Sequence, residues 1–181
     1  MNRLREKYQK EIKETLAKEL GIKNPLAVPK LTKVVVNMGV GDLIKNQNGM
    51  EALRKDLGQI VGQNPSIRNA KLSIASFNIR AGMPVGISAT LRGDRMYSFL
   101  DRLFSIVLPR LRDFRGIPGT SFDNSGNYTF GLLEHTVFPE IDVTKSAAAH
   151  GMEVTVVTTA KDKAASKRLL ELLGCPFEKE N

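Results

Sequence analysis

VGISATLRGDRMYSFLDRLFSIVLPRLRDFRG, residues 85–116, carries a strand signal and a helix signal back to back. Val85 to Leu91 is rich in β-branched and small residues, which predicts a strand. Arg92-Gly93-Asp94-Arg95 reads as a tight polar turn in which Asp94 caps the helix that follows. From Met96 to Leu108, the residues Met96, Phe99, Leu100, Leu103, Phe104 and Val107 recur at helical spacing and predict the most apolar helix of the chain. Pro109 disfavours helical geometry at Leu108 and predicts an end or a kink there. Arg110, Arg112 and Arg115 follow before Gly116. With Arg92 and Arg95, they put arginines at both junctions of a core strand and a core helix. Rigid apolar elements with basic junctions suit a polyanion-binding surface.

The rest of the chain fits around this unit. Leu4, Tyr8, Ile12, Leu16 and Leu20 recur every four residues, predicting an amphipathic helix over 2–20 that stops at Gly21. Pro25 and Pro29 read as an extended connector. Residues 30–38, centred on Val34-Val35-Val36, read as a strand. Gly39-Val40-Gly41-Asp42 reads as a loop. A second helix, capped by Asn48, buries Met50, Leu53, Leu57 and Ile60 and ends at Gly62. Gln63-Asn64-Pro65 reads as a turn. Residues 66–84 are less regular, and Ile74 and Phe77 fit a short strand or a hairpin arm. Residues 110–127 form a long Gly-, Pro- and Asn-rich loop. Tyr128 to Leu133 and Thr136 to Phe138 read as strands, and Asp142 or Thr144 as the cap of a short helix ending at Gly151. Met152 to Thr158 is a strong strand signal. Thr159 to Asp162 fits a capping box for a last helix that runs to Leu173 and stops at Gly174. Strands and helices mix without strict alternation, which favours an α+β class, and 181 residues suit one domain spanning 1–181.

Composition narrows the partners. The formal net charge is +8, from 27 basic and 19 acidic residues spread along the chain. A body this basic points first to nucleic acid, then to an anionic membrane surface or a basic enzyme. One cysteine, Cys175, allows no intrachain disulfide or cysteine-based metal cluster, and suits a reducing compartment. Residues 1–20 are charged throughout, and no apolar run approaches a membrane span, so the expectation is a cytoplasmic protein without membrane attachment.

Few residues suggest catalysis. Gly39-x-Gly41-Asp42 follows a strand but lacks the third glycine of a dinucleotide loop, and Asp42 has the wrong charge for phosphates. His135 and His150 have no companion at ligand spacing, so neither metal nor cofactor is expected; each reads as structural or exposed. Cys175 reads as an inert buried thiol. Asp113, Asp123, Glu134, Glu140 and Asp142 form no recognisable pair. The arginines at 92, 95, 110, 112 and 115 are the clearest positive signal, because the planar guanidinium suits phosphates and base edges. Phe114, Phe122, Tyr128 and Phe130 lie among these loops, available either to stack on bases or to pack a core. The residues alone reach a basic α+β domain that binds RNA.

Longer segments carry a resemblance. VPKLTKVVVNMGVGD at 28–42, SIASFNIRAGMPVG at 73–86, TLRGDRMYSFLDRL at 90–103, PRLRDFRGI at 109–117, SFDNSGNYTFGLLEHTVFPEI at 121–141 and VTVVTTAKD at 154–162 resemble, in order and nearly end to end, the bacterial large-subunit ribosomal protein five family, which binds 5S ribosomal RNA. The resemblance implies an antiparallel sheet with an open concave face and helices packed on the other. It implies a non-enzymatic protein of the large subunit that joins 5S rRNA to the large-subunit rRNA in the central protuberance. Further implied partners are the peptidyl-site tRNA and a small-subunit head protein, with the chain a monomer within the ribosome. Carried over by position, 5S contacts fall at Lys33, Asn37, Gln63, Thr90 and Arg92. Arg68, Lys71, Arg110, Arg112 and Arg115 are expected to meet other rRNA. The stretch Ser73 to Gly86, with Ser73, Phe77, Asn78, Arg80 and Met83, is expected to face tRNA. The chain departs from the family where Leu72, Asn78, Ser125 and Leu133 replace usual basic residues, and at Ser66 and Arg68. The rival is a small basic enzyme using the Arg110–Arg115 loop as a phosphate clamp.

Overall fold

A computed structural model describes residues 2–43, 46–142 and 149–178. Its regular elements are a helix α1 over 3–19, strand β1 (Leu31–Gly39), helix α2 (Gln47–Val61), strands β2 (Ser66–Asn69) and β3 (Pro84–Leu91), helix α3 beginning as Gly93–Arg102, strands β4 (Tyr128–Leu132) and β5 (Met152–Thr158), and helix α4 (Lys163–Leu172). The strands form one antiparallel sheet in the order β2-β3-β1-β5-β4, and the class is α+β. The chain divides into two compact units: Met1–Val34, Leu91–Phe130 and Thr155–Asn181 in the first, Val35–Thr90 and Gly131–Val154 in the second.

In the first unit, α1 buries Leu4, Tyr8, Ile12 and Leu16 of the expected stripe, while Leu20, at the C-cap, is exposed. An α-helix turns every 3.6 residues, so a four-residue repeat slips by about 40° per step. The middle of α1, Tyr8–Ile12, is π-helical, and its wider i→i+5 turn offsets that slip. Gly21, at φ +64°, closes the helix with Ile22 N–H on the Ala17 carbonyl and Gly21 N–H on Lys18, a Schellman arrangement. The connector after it is not simply extended: Asn24 Oδ1 accepts from Leu26 N–H and the Asn24 carbonyl from Ala27 N–H, making a turn.

Helix α3 packs against the first turns of α1, where Arg3 pairs with Asp101 at 2.6 Å and Arg5 with Asp94 at 2.7 Å. Met96, Phe99, Leu100, Leu103, Phe104 and Val107 are all buried. The expected turn at 92–95 is absent. Arg92 stays extended and Gly93, at φ +57°, turns the chain into the helix in a single residue, a conformation suited to glycine. Asp94 therefore lies inside the first helical turn, where it faces Arg5 and favours the helix N-terminus. Leu108 also remains helical (φ −59°, ψ −45°). The helix passes through a π segment, Leu103–Val107, into a 3-10 turn, Leu108–Arg110, with Pro109 near its start, where a missing N–H costs little. In α4, Asp162 and not Thr159 is the cap, accepting from Ala165 N–H at 2.7 Å; Thr159 Oγ1 instead accepts from Lys30 N–H.

In the second unit, α2 buries Met50, Leu53, Leu57 and Ile60 as expected. Its cap is Asn46, which accepts from Gly49 N–H at 3.0 Å, two residues before the expected Asn48. Residues 66–69 form β2, which the sequence pattern missed because no apolar alternation marks it. It pairs with β3 as Ser66↔Ser88, Ile67↔Ile87 and Arg68↔Gly86. Ile74 and Ile79 form an isolated bridge around a 3-10 turn, Ala75–Phe77. His135–Val137 is a 3-10 turn where a strand was expected over Thr136 to Phe138. The expected short helix after Asp142 falls largely on residues 143–148, outside the described residues.

Candidate nucleic-acid interface

In β1 and β5, buried and more open positions alternate; β2 has no buried residue, and in β3 Gly86 and Ser88 are buried although they lie on the side opposite the apolar core. In β1, Val34, Val36 and Met38 are buried, while Lys33, Val35 and Asn37 alternate with them on the other side. In β3, Ile87, Ala89 and Leu91 are buried inward, leaving Gly86, Ser88 and Thr90 on the opposite side. The register puts Ser66 and Arg68 of β2 on that same side. In β5 the open positions are Glu153, Thr155 and Val157, and Thr129 of β4 bonds to Thr155 through their hydroxyls at 3.0 Å.

Within the second unit, β1, β2 and β3 contribute Val35, Asn37, Ser66, Arg68, Gly86, Ser88 and Thr90 to this side, and β5 adds one carboxylate, Glu153. Ser66 Oγ donates to the Ser88 carbonyl at 3.1 Å. Gln63 Nε2 donates to the Thr90 carbonyl at 3.0 Å, which ties the turn after α2 to the end of β3. Arg54 holds the same turn by donating from Nε to the Pro65 carbonyl. In the first unit, Lys33 lies on the open face of β1 and Arg92 follows β3, exposed.

Two sets of cations among the described residues differ in their partners. Arg3, Arg5 and Arg168 are committed to carboxylates; Arg168 grips Glu19 with two 2.7 Å bonds, which holds its guanidinium pKa above the usual value. Lys33, Arg68, Lys71, Arg80, Arg92, Arg110, Arg112 and Arg115 make no ion pair among the described residues, and all but half-buried Lys33 are exposed. Exposed cations spared from internal pairs remain available to phosphate.

Residues 71–78 are exposed without interruption, including Leu72 (74%) and Phe77 (69%). The hairpin is closed by Ala70 N–H on the Met83 carbonyl and Gly82 N–H on Ala70, and by Ala81 N–H on Ser73 Oγ. Asn78 adopts a left-handed conformation, φ +54°. Asparagine enters this region more readily than most other residues.

The remaining candidates are structural. Gly41–Leu43 is a 3-10 turn, not a phosphate loop. His135 is fully buried; its Nδ1 accepts from His150 N–H at 3.1 Å, and its Nε2 lies 3.6 Å from Asp56 Oδ2. Burial pushes the Cys175 thiol pKa up, assisted by Glu171, so it is an unreactive core group. Asp123 accepts from the N–H groups of Ser125 and Asn127 and from Asn127 Nδ2; these bonds hold its carboxyl pKa down and shape the 123–127 turn. Phe122, Tyr128 and Phe130 pack on one another, with Phe122 and Tyr128 ring centroids 4.5 Å apart, so they serve the core. Among the described residues there is no metal-binding group of side chains and no helix long and apolar enough to cross a membrane.

A family model described as ribosomal protein L5 matches residues 24–80, and a second, for the C-terminus of the same ribosomal protein family, matches residues 84–177. The chain belongs to the ribosomal protein L5 family. It is 53% identical over 179 residues to the large ribosomal subunit protein uL5 of Thermoanaerobacter sp. (strain X514), covering 99% of this chain and all of that protein. Identity to the uL5 of Dictyoglomus turgidum is 51% over 179 residues, 99% of this chain and all of that one. Identity to the uL5 of Chloroflexus aurantiacus is 53% over 175 residues, 97% of each chain. Membership makes the chain a structural constituent of the large ribosomal subunit in the cytoplasm. It is not an enzyme, which removes the phosphate-clamp reading of the Arg110–Arg115 loop.

Proposed function

We propose that this chain binds 5S rRNA through the open face of its sheet and attaches it to the large-subunit rRNA in the central protuberance. Lys33, Asn37, Gln63, Thr90 and Arg92 make the 5S contacts. The observation that carries this reading is the alternation on β1 and β3: apolar residues fill one side, while Lys33, Asn37, Ser88 and Thr90 occupy the other. Lys33 on this face and Arg92 at the end of β3 make no ion pair among the described residues, which leaves both charges for phosphate.

Arg68, Lys71, Arg110, Arg112 and Arg115 meet other rRNA. The exposed hairpin bearing Ser73, Phe77, Asn78, Arg80 and Met83 reaches the peptidyl-site tRNA. The chain works as a single domain and as one copy per ribosome, and it contacts a small-subunit head protein across the subunit interface. The test is equilibrium binding of a 5S rRNA transcript to the full chain and to Lys33→Ala and Asn37→Ala. Loss of affinity in both variants with unchanged folding supports the reading; wild-type affinity in both removes the open face from the RNA surface.

A further inference from the structure

Helix α3 ends in the 3-10 turn Leu108–Arg110, and the chain rejoins the core at Ile117, which is buried. Between these points stand Arg110, Arg112 and Arg115, all exposed and without an ion pair among the described residues. The upstream end of this loop is tied by Leu111 N–H on the Leu108 carbonyl at 3.1 Å. The downstream end is tied to the segment after α4. Ile117 and Phe177 form an isolated parallel bridge, in which Ile117 N–H donates to the Pro176 carbonyl at 2.9 Å and Glu178 N–H to the Ile117 carbonyl at 3.0 Å. That segment is itself rooted. Cys175 N–H donates to the Leu170 carbonyl at 2.9 Å, and the Phe177 ring lies edge-on to Tyr128, with centroids 5.4 Å apart. Gly116 makes the close approach possible. Its φ is +121°, where residues with a Cβ are strained. A Cβ there would lie 2.4 Å from the Glu178 nitrogen, 2.5 Å from the Glu178 Cα and 2.7 Å from the Phe177 carbonyl carbon. All three are backbone atoms, so no side chain can swing aside to make room.

From this arrangement, we propose that residues 175–178 act as a brace that presets the Arg110–Arg115 loop for the phosphate backbone of RNA, with Gly116 as the positioning residue. The inference rests on the reading of that loop as an rRNA contact, and it requires no RNA contact from the brace itself. Within the loop only Leu111 and Phe114 are partly covered, so its path depends on how its ends are held. A loop free at one end loses conformational freedom when it meets a ligand, and that loss weakens binding. A loop fixed at both ends has lost most of that freedom on folding. Asp113, the loop's own carboxylate, pairs with none of the three arginines, which leaves the guanidinium groups without a partner inside the loop. The brace therefore sets where three unpaired cations stand.

The experiment uses the full chain, with a transcript of the large-subunit rRNA as probe, a 5S rRNA transcript alongside it, and salt titrations for every variant. Gly116→Ala should weaken binding to the large-subunit rRNA on the order of tenfold, the scale of ordering one or two side chains anew. Its salt slope should stay unchanged, because every cation remains. The Ile117 and Glu178 amides should exchange faster in this variant as the bridge opens, while 5S binding stays at the wild-type value. Replacing Arg110, Arg112 and Arg115 together by alanine should weaken binding and shallow the slope. Adding Gly116→Ala to that variant should change nothing further, which separates positioning from a merely structural role. Should Gly116→Ala fail to fold, Phe177→Ala, at a partly exposed ring, loosens the same bridge and takes its place in the cycle. Wild-type rRNA affinity with an opened bridge would overturn the proposal. An equal loss with and without the arginines would overturn it too, as would unchanged exchange at both amides in Gly116→Ala. If the triple arginine variant binds as wild type does, the reading of the loop as an rRNA contact fails with the proposal; if only the arginine variant loses affinity, the brace fails alone.

Discussion

Gln63 Nε2 donates to the backbone carbonyl of Thr90 at 3.0 Å across 27 residues of sequence. The bond links the turn that ends α2 to the last residues of β3, two places carrying proposed 5S contacts. Gln63→Glu removes the donor and sets a carboxylate against the carbonyl. Stability is expected to fall by about 1 kcal/mol, the typical net worth of such a bond. 5S affinity should fall as well, because a negative charge is introduced beside the RNA surface. Denaturant titration and a binding isotherm on the same preparation check both effects; wild-type values in both would mean that the link positions nothing.

Arg92→Ala combined with Thr90→Ala should weaken 5S binding without unfolding the chain. Arg92 is exposed and makes no ion pair among the described residues. Each lost phosphate contact should shallow the salt dependence by about 0.7–0.9 in slope, if the DNA relation transfers to RNA. An unchanged slope and affinity would remove Arg92 from the interface.

Leu100 is fully buried and Phe104 nearly so. Truncation of either to alanine should destabilise the fold by about 2–5 kcal/mol. A chemical-denaturation midpoint close to wild type would contradict the placement of this helix face in the core.

Tyr8 has its hydroxyl on the Pro29 carbonyl at 2.9 Å, and burial, with a contribution from Tyr97, pushes its pKa up to about 12. An unfolded tyrosine titrates near 10. The raised folded value means that the neutral phenol supports the fold fully below pH 10 and that this support is lost as pH rises through 12. Burial raises Tyr97 and Tyr128 in the same sense. Stability measured from pH 7 to 9 should be insensitive to these groups and fall between 10 and 12. Tyr8→Phe should reduce that fall; an identical alkaline fall would remove Tyr8 from the titration.

The hairpin around Arg80 relies on backbone bonds that are exposed to water, such as Ile74 N–H on Ile79 and its reciprocal. Its amides over 73–86 should exchange faster than those of Val34 to Val36, whose strand is covered on one side by core. Arg80→Glu should lower peptidyl-site tRNA retention on assembled ribosomes and leave 5S binding by the free chain nearly unchanged. Slow exchange across 73–86, or equal loss of both activities, would contradict two separate surfaces.

The parts of the fold legible in the sequence are those with a strong apolar period. Val34 to Val36, the inward face of α2 and the stripe from Met96 to Val107 are examples. β2 was hidden because Ser66-Ile67-Arg68-Asn69 has one apolar residue, and its strand state comes from pairing with β3. Asn46 displaced Asn48 as a cap because both are good N-caps and only backbone geometry separates them. The π segments in α1 and α3 leave no residue signature beyond a four-residue stripe. His135 reads as a lone histidine until folding brings the His150 backbone to it. For the candidate site, the basic residues were visible, but which ones lie spare of carboxylates was not, since Arg3, Arg5 and Arg168 find partners far away in sequence.

Selection of RNA by the purified chain tests the central claim most directly. The full chain is immobilised, presented with total RNA in molar excess, and washed at stepped salt before the retained RNA is sized and sequenced. The open-face reading predicts that 5S rRNA is enriched over tRNA and over fragments of the larger rRNAs, and that Asn37→Ala with Lys33→Ala abolishes the enrichment. Retention of all RNA classes in proportion to their abundance, released together at one salt step, would contradict it.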